Sequence, residues 1–121
     1  NKLASEFIPS SPTGNGISYR FLNIGGKNFW LKYESRNWRS NFGSDINIKL
    51  LQNEYLKNKF SNIEGLLIKN IDKPLYAIDF VLDANNRIYA LDFNIAPQIK
   101  NTPIENILKP KEIVNLIKNY D

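Results

Sequence analysis

The chain contains no cysteine, no histidine and no methionine among its 121 residues. Without cysteine, disulfides and thiolate metal sites are excluded. Without histidine, the usual zinc sites and imidazole acid–base catalysis are excluded as well. Any bound metal must therefore be a hard ion held by carboxylate, amide and carbonyl oxygens, which points to Mg2+, Mn2+ or Ca2+. No apolar run approaches the ~20 residues that cross a bilayer. Methionine is absent and the first residue is Asn1, so the chain is expected to be part of a longer translation product.

What is present is an ordinary globular composition, 42% hydrophobic and 23% charged. The length predicts one domain over 1–121. The net charge of +4 is spread along the sequence and not gathered in a run. Such a balance is compatible with nucleic acid, an anionic membrane surface or a phosphorylated ligand, and does not choose among them.

Residues 9–16, rich in Pro, Gly and small polar side chains, read as a loop. Ile17 to Ile24 and Lys27 to Ser35 read as two strands joined by a tight turn at Gly25–Gly26. The polar stretch 36–44 reads as a loop. From Asp45 the pattern is mixed. Ile46, Ile48 and Leu50 alternate as in a strand, while Leu51, Tyr55, Leu56 and Phe60 suit a helix of about three turns. Asn62 is a candidate cap for a further short helix ended by Pro74. Tyr76–Leu82 and Arg87–Phe93 are strands around an Asp83–Asn86 turn, and Lys111–Asn119 is an amphipathic helix with Pro110 at its start. The fold class is α+β: an antiparallel sheet of at least four strands with helices on one side.

Parity along the last hairpin decides which side chains meet. A turn centred between Asn85 and Asn86 places Asp79 opposite Asp92 and Val81 opposite Ala90, with Asn94 on the face of Asp92. Ala77, Val81, Ile88 and Ala90 share that face and supply no countercharge, while Ile78, Phe80, Leu82, Tyr89, Leu91 and Phe93 are expected to meet the core. Opposed carboxylates are separated by roughly 4.5–5.5 Å between Cβ atoms and repel. A divalent cation between them resolves the repulsion. So do two solvated aspartates with a basic side chain between them, and the pairing alone leaves both readings open.

The stretch Tyr76 to Pro97 resembles the magnesium hairpin of the ATP-grasp superfamily: an Asp on one strand, a short turn, then Glu-x-Asn followed by Pro or Gly. The matching positions are Asp79, Asp92 and Asn94, with Asp92 standing where Glu is usual. A second run is similar to that family too: Arg20 on a strand, Gly25-Gly26-Lys27 at a turn, Lys32, and Arg39-Ser40-Asn41. The resemblance implies that Asp79, Asp92 and Asn94 hold Mg2+ (Mn2+ possible). It also implies that Lys32, Arg39 and Asn41 approach the triphosphate of ATP, that Arg39 is catalytic, and that Glu6 to Ile8 end the hinge strand beside the adenine. It covers most of the chain as the C-terminal half of such a domain.

The implied activity is an ATP-dependent carboxylate–amine ligase working through an acyl phosphate. Its partners would be ATP, a small carboxylate substrate, and the N-terminal ATP-grasp half in the same polypeptide or a partner subunit. A cytoplasmic enzyme with neither nucleic acid nor membrane as partner is expected, inactive as these residues alone. Two rivals stand beside this reading. One is a non-catalytic ATP-grasp remnant serving as a binding or interaction module, motivated by Asp92 in place of Glu. The other is a single-strand nucleic-acid binder, motivated by basic residues among aromatics at Trp30, Tyr33, Arg36, Trp38 and Arg39.

Overall fold

The computed structural model describes residues 16–35 and 46–120. Their elements run β1 (Gly16–Ile24), β2 (Lys27–Ser35), β3 (Ile46–Leu50), a helix α1 (Glu54–Asn70), β4 (Leu75–Leu82), β5 (Ile88–Asn94), a 3-10 turn η1 (Pro103–Asn106) and a helix α2 (Pro110–Lys118). The strands form one five-stranded sheet in the order β3-β2-β1-β4-β5, antiparallel throughout. The α+β class with an antiparallel sheet is as expected.

β1 and β2 form the expected hairpin, with Ile24 opposite Lys27 across Gly25–Gly26. Both glycines have positive φ, 56° and 94°, the conformation that a two-residue turn between twisted strands demands. Gly25 is further constrained because a Cβ there would lie 2.3 Å from the Leu116 carbonyl oxygen of α2.

Where the pattern was mixed, both elements exist in sequence. Ile46, Ile48 and Leu50 lie in β3, and a single 17-residue helix follows. Asn53 caps that helix by accepting from the Leu56 amide at 3.1 Å. Asn62 caps nothing; it lies inside the helix. The repeat Leu56, Phe60, Ile63, Leu67, Ile71 forms one uninterrupted apolar stripe, and it packs on the sheet.

The helices divide between the two faces instead of sharing one side. α1 covers the face of Tyr19, Phe21, Tyr76, Ile78 and Phe80. Phe60 sits at the centre of that layer, fully buried. It stacks on Trp30 at 4.5 Å between ring centroids and meets Tyr19 and Phe80 at 5.3 and 6.2 Å. On the other face Leu22, Ile24, Leu31 and Ala77 pack with Ile104 and Leu108, and Ile113, Leu116 and Ile117 of α2 join them. The stretch after β5 therefore crosses over the second face from one sheet edge toward β3, where η1 makes contact. No helix among the described residues is long and apolar enough to cross a membrane.

Candidate functional site

The site begins at the β4–β5 hairpin, whose turn is not the one expected. Asn86 N–H donates to the Asp83 carbonyl at 2.9 Å and Asp83 N–H to the Arg87 carbonyl at 3.0 Å. Asn86 has φ 62°. This is a three-residue loop, a type I turn followed by a left-handed residue, so it is centred on Asn85. The Asp83 carboxylate fixes it. It accepts from the amides of Asn85 and Arg87, both at 2.8 Å, from Arg87 Nε at 2.8 Å and from the Tyr89 hydroxyl at 3.2 Å. The Arg87 amide first, then its guanidinium and the Asn85 amide, lower the Asp83 pKa.

Near the turn the ladder follows that centre: Leu82 faces Ile88, Val81 faces Tyr89 and Phe80 faces Ala90. The pairing of Val81 with Ala90 is thus corrected, and with it the faces of the first β5 residues. Ile88 packs with the α1 layer, and Tyr89 takes the face of Val81. A register shift between Asp79 and Phe80 then leaves Leu91 without a partner, a β-bulge that adds one residue to β5. Beyond it Asp79 faces Asp92, Ile78 faces Phe93 and Ala77 faces Asn94. Asp79, Asp92 and Asn94 therefore share one face of the sheet. Leu91 and Phe93, expected in the core, remain 47% and 44% exposed because β5 is the sheet edge and α1 lies over the central strands.

The countercharge missing from the hairpin comes from β1. Arg20 is the cross-strand partner of Asp79 on β4's other side. Its Nε donates to Asp79 Oδ1 at 2.7 Å and its Nη2 to Oδ2 at 3.1 Å, a bidentate, charge-assisted grip. Its Nη1 donates to the Tyr33 hydroxyl at 3.3 Å, and the guanidinium carbon lies 4.8 Å from the Tyr33 ring centroid. The pair is sheltered, with side-chain exposures of 14% for Arg20 and 21% for Asp79. The hydrogen bonds with Asp79 raise the Arg20 pKa against the effect of burial, and the charge of Asp92 adds to the same pull. Burial raises the Tyr33 phenol, with Arg20 opposing it. Asp92 is exposed and makes no ion pair with any described residue. Asn94 turns its Oδ1 to the Ala96 amide at 2.8 Å.

Beside these residues lies a cleft of about 570 Å3 lined by Arg20, Tyr33, Ile48, Asn94, Gln98 and Asn101, with Thr102 at its floor. Its outer wall is the stretch that follows Asn94. There Thr102 Oγ1 donates to the Ile99 carbonyl at 2.6 Å and accepts from the Ile104 amide at 3.2 Å, anchoring η1. A cleft of this size suits a small polar ligand.

No group of three or more acidic or other metal-ligating side chains exists among the described residues. Mg2+, however, is ordinarily held by one or two carboxylates together with water and substrate phosphates, without an all-protein cage. Two opposed carboxylates with an amide oxygen on the same face fit that chemistry, provided that Arg20 releases Asp79.

Lys32 does not join this group. It faces Tyr19 and Lys49 across its neighbouring strands, and strand alternation puts it with Trp30 on the α1 side. Glu6, Ile8, Arg39 and Asn41 lie outside the described residues. Of the aromatics that motivated nucleic-acid binding, Trp30 stacks on Phe60 and donates to Glu64 at 3.1 Å and Tyr33 supports Arg20, while Trp38, with Arg36, lies outside the described residues. Arg20 as the partner of Asp79 escaped the sequence reading. The available signal was a lone arginine in the otherwise apolar run Tyr19-Arg-Phe-Leu, but the adjacency of β1 and β4 is not written in either segment.

No protein-family model matches the sequence, and no curated protein is similar enough to count as a match. The fold does resemble a solved structure, that of the ATP-grasp ligase PsnB complexed with a minimal precursor. The TM-score is 0.51 at 13% identity, over 85% of this chain and 35% of the ligase. The chain thus spans about a third of that neighbour's length, and the likeness is one of fold.

Proposed function

We propose that this chain is the Mg-ATP-binding C-terminal part of an ATP-grasp ligase that joins a carboxylate to an amine through an acyl phosphate. The observation that carries the reading is the opposition of Asp79 and Asp92, with Asn94 on the same face, beside a polar cleft. The fold likeness to an ATP-grasp ligase supports it.

Phosphoryl transfer depends on positioning and charge neutralisation more than on a covalent nucleophile, and Mg2+ would supply Lewis-acid neutralisation of the β- and γ-phosphates. Asp79, Asp92 and Asn94 would hold it. Arg39 would stabilise the transferred phosphoryl group, Asn41 would approach the triphosphate, and Glu6 to Ile8 would flank the adenine. Gln98, on the cleft wall, would orient the small carboxylate. Lys32 is left out because it stands on the α1 face. Turnover would need the rest of the nucleotide cleft, in the same polypeptide or a partner subunit, so these residues alone are expected to be inactive.

The test is calorimetric titration of Mn-ATP into the protein and its variants. Asp79→Asn and Asp92→Asn should each weaken binding by tenfold or more, about 1.4 kcal/mol, while Asp92→Glu should retain it. Equal affinity in all four proteins would overturn the assignment.

A further inference from the structure

Arg20 occupies the position that the proposed cation needs. Both oxygens of Asp79 are taken by its Nε and Nη2, and both side chains are largely withdrawn from water. With Arg20 in place the trio Arg20, Asp79 and Asp92 carries a net charge of −1, and only Asp92 is open to an incoming ion. The guanidinium is also held from a second side, by the ring and hydroxyl of Tyr33. Tyr33 and Arg20 both line the cleft. An arginine held by two partners can let go of one and stay on the other.

Resting on the metal reading of Asp79 and Asp92, we propose that Arg20 is an exchangeable internal counter-ion. It neutralises Asp79 in the cation-free protein, is displaced when a divalent cation takes that carboxylate, and stays on Tyr33 with its freed N–H donors turned to the cleft. Arg20 is thus a positioning residue that makes the anion-receiving form of the cleft conditional on the cation. The freed donors suit a carboxylate or phosphate oxygen, since a guanidinium fork matches both bidentately. The Tyr33 face keeps the group in place during the exchange, because a cation near an aromatic face is attracted by the ring quadrupole. Masking of Asp79 also predicts a weakened apparent cation affinity, in proportion to the fraction of molecules in which the carboxylate is free.

The experiment follows the Arg20 Nε–H resonance of the 15N-labelled wild-type chain by NMR during titration with MgCl2, alongside the backbone amides of Asp79 and Asp92. Before Mg2+ the Nε–H should be slow to exchange, as its 2.7 Å bond to Asp79 requires. At saturation, with the Asp79 and Asp92 amides shifted, it should move and exchange rapidly. Arg20→Lys keeps the charge but loses the fork, so it should bind Mg2+ more tightly, roughly tenfold if Asp79 is free in about a tenth of molecules. Shifted Asp79 and Asp92 amides with an unmoved, protected Nε–H would overturn the exchange and leave the metal reading standing. An Arg20→Lys affinity equal to or weaker than wild type would do the same. No response at either aspartate, in wild type or Arg20→Lys, would remove the metal reading and the exchange with it.

Discussion

Asp92 stands opposite Asp79 because two departures from a regular hairpin cancel: a three-residue turn centred on Asn85, and a bulge at Leu91. The turn alone would pair Asp79 with Leu91 and send Asp92 to the α1 face, since a one-residue slip flips every side chain. The bulge restores the face.

Deleting Leu91 should therefore preserve the opposition of the two aspartates, with a regular ladder in place of the bulge. Leu91 is half exposed, so little packing is lost. Mn2+ affinity within about threefold of wild type, under 1 kcal/mol, and an NOE between the amide protons of Asp79 and Asp92, which approach in a hydrogen-bonded antiparallel pair, would confirm it. Loss of both would show that the bulge itself shapes the site.

The turn depends on Asp83, whose carboxylate accepts four hydrogen bonds. Its pKa is lowered in the folded chain, so its stabilising effect is complete above the unfolded value of about 3.9. It is lost as pH falls through the lower folded value, because the unfolded state then binds the extra proton. Asp83→Asn should flatten the acid side of the melting-temperature profile, and Asp83→Ala should speed amide exchange at Asn85 and Arg87. Identical acid limbs in wild type and Asp83→Asn would contradict the assignment.

At the β1–β2 turn the two glycines should respond unequally. A Cβ on Gly26 meets nothing within 4 Å, whereas one on Gly25 collides with the α2 backbone. Positive φ alone costs a non-glycine residue roughly 1–2 kcal/mol. Gly26→Ala should fall in that range by urea unfolding, and Gly25→Ala should exceed it and loosen α2. Equal losses would mean that α2 is not held against the turn.

Phe60→Ala should cost about 3–5 kcal/mol, as for other buried aromatic truncations, because the ring is fully buried between Tyr19, Trp30 and Phe80. Leu66→Ala on the same helix, 61% exposed, should stay within about 0.5 kcal/mol. Comparable urea midpoints for the two variants would place the core elsewhere.

Local chemistry was legible in the sequence where one short segment decides the outcome. Gly25–Gly26 marks its own turn, Pro110 starts α2, and the alternation of Tyr76–Leu82 declares a strand. Parity also led to the Asp79–Asp92 pair, although turn and bulge both departed from the regular hairpin assumed. What stayed hidden depends on distant segments. Nothing in Tyr19–Leu22 states that β1 lies beside β4, so Arg20 could not be matched to Asp79. Nothing in Leu91 or Phe93 states that β5 is an edge, so apolar alternation read as burial. The division of helices between faces depends on the path from Asn94 to Pro110, a stretch without periodicity. Asn62 has the side chain of a cap, and the longer apolar repeat of α1 overrode it.

The most direct test of the central claim is paramagnetic broadening of the 15N-labelled chain by substoichiometric Mn2+, with and without ATP. The amides of Asp79, Asp92 and Asn94 should broaden first, and ATP should strengthen the effect while leaving Lys32 on the far face sharp. Broadening centred on other carboxylates such as Asp72 or Asp83, or spread evenly over the acidic surface, would contradict it.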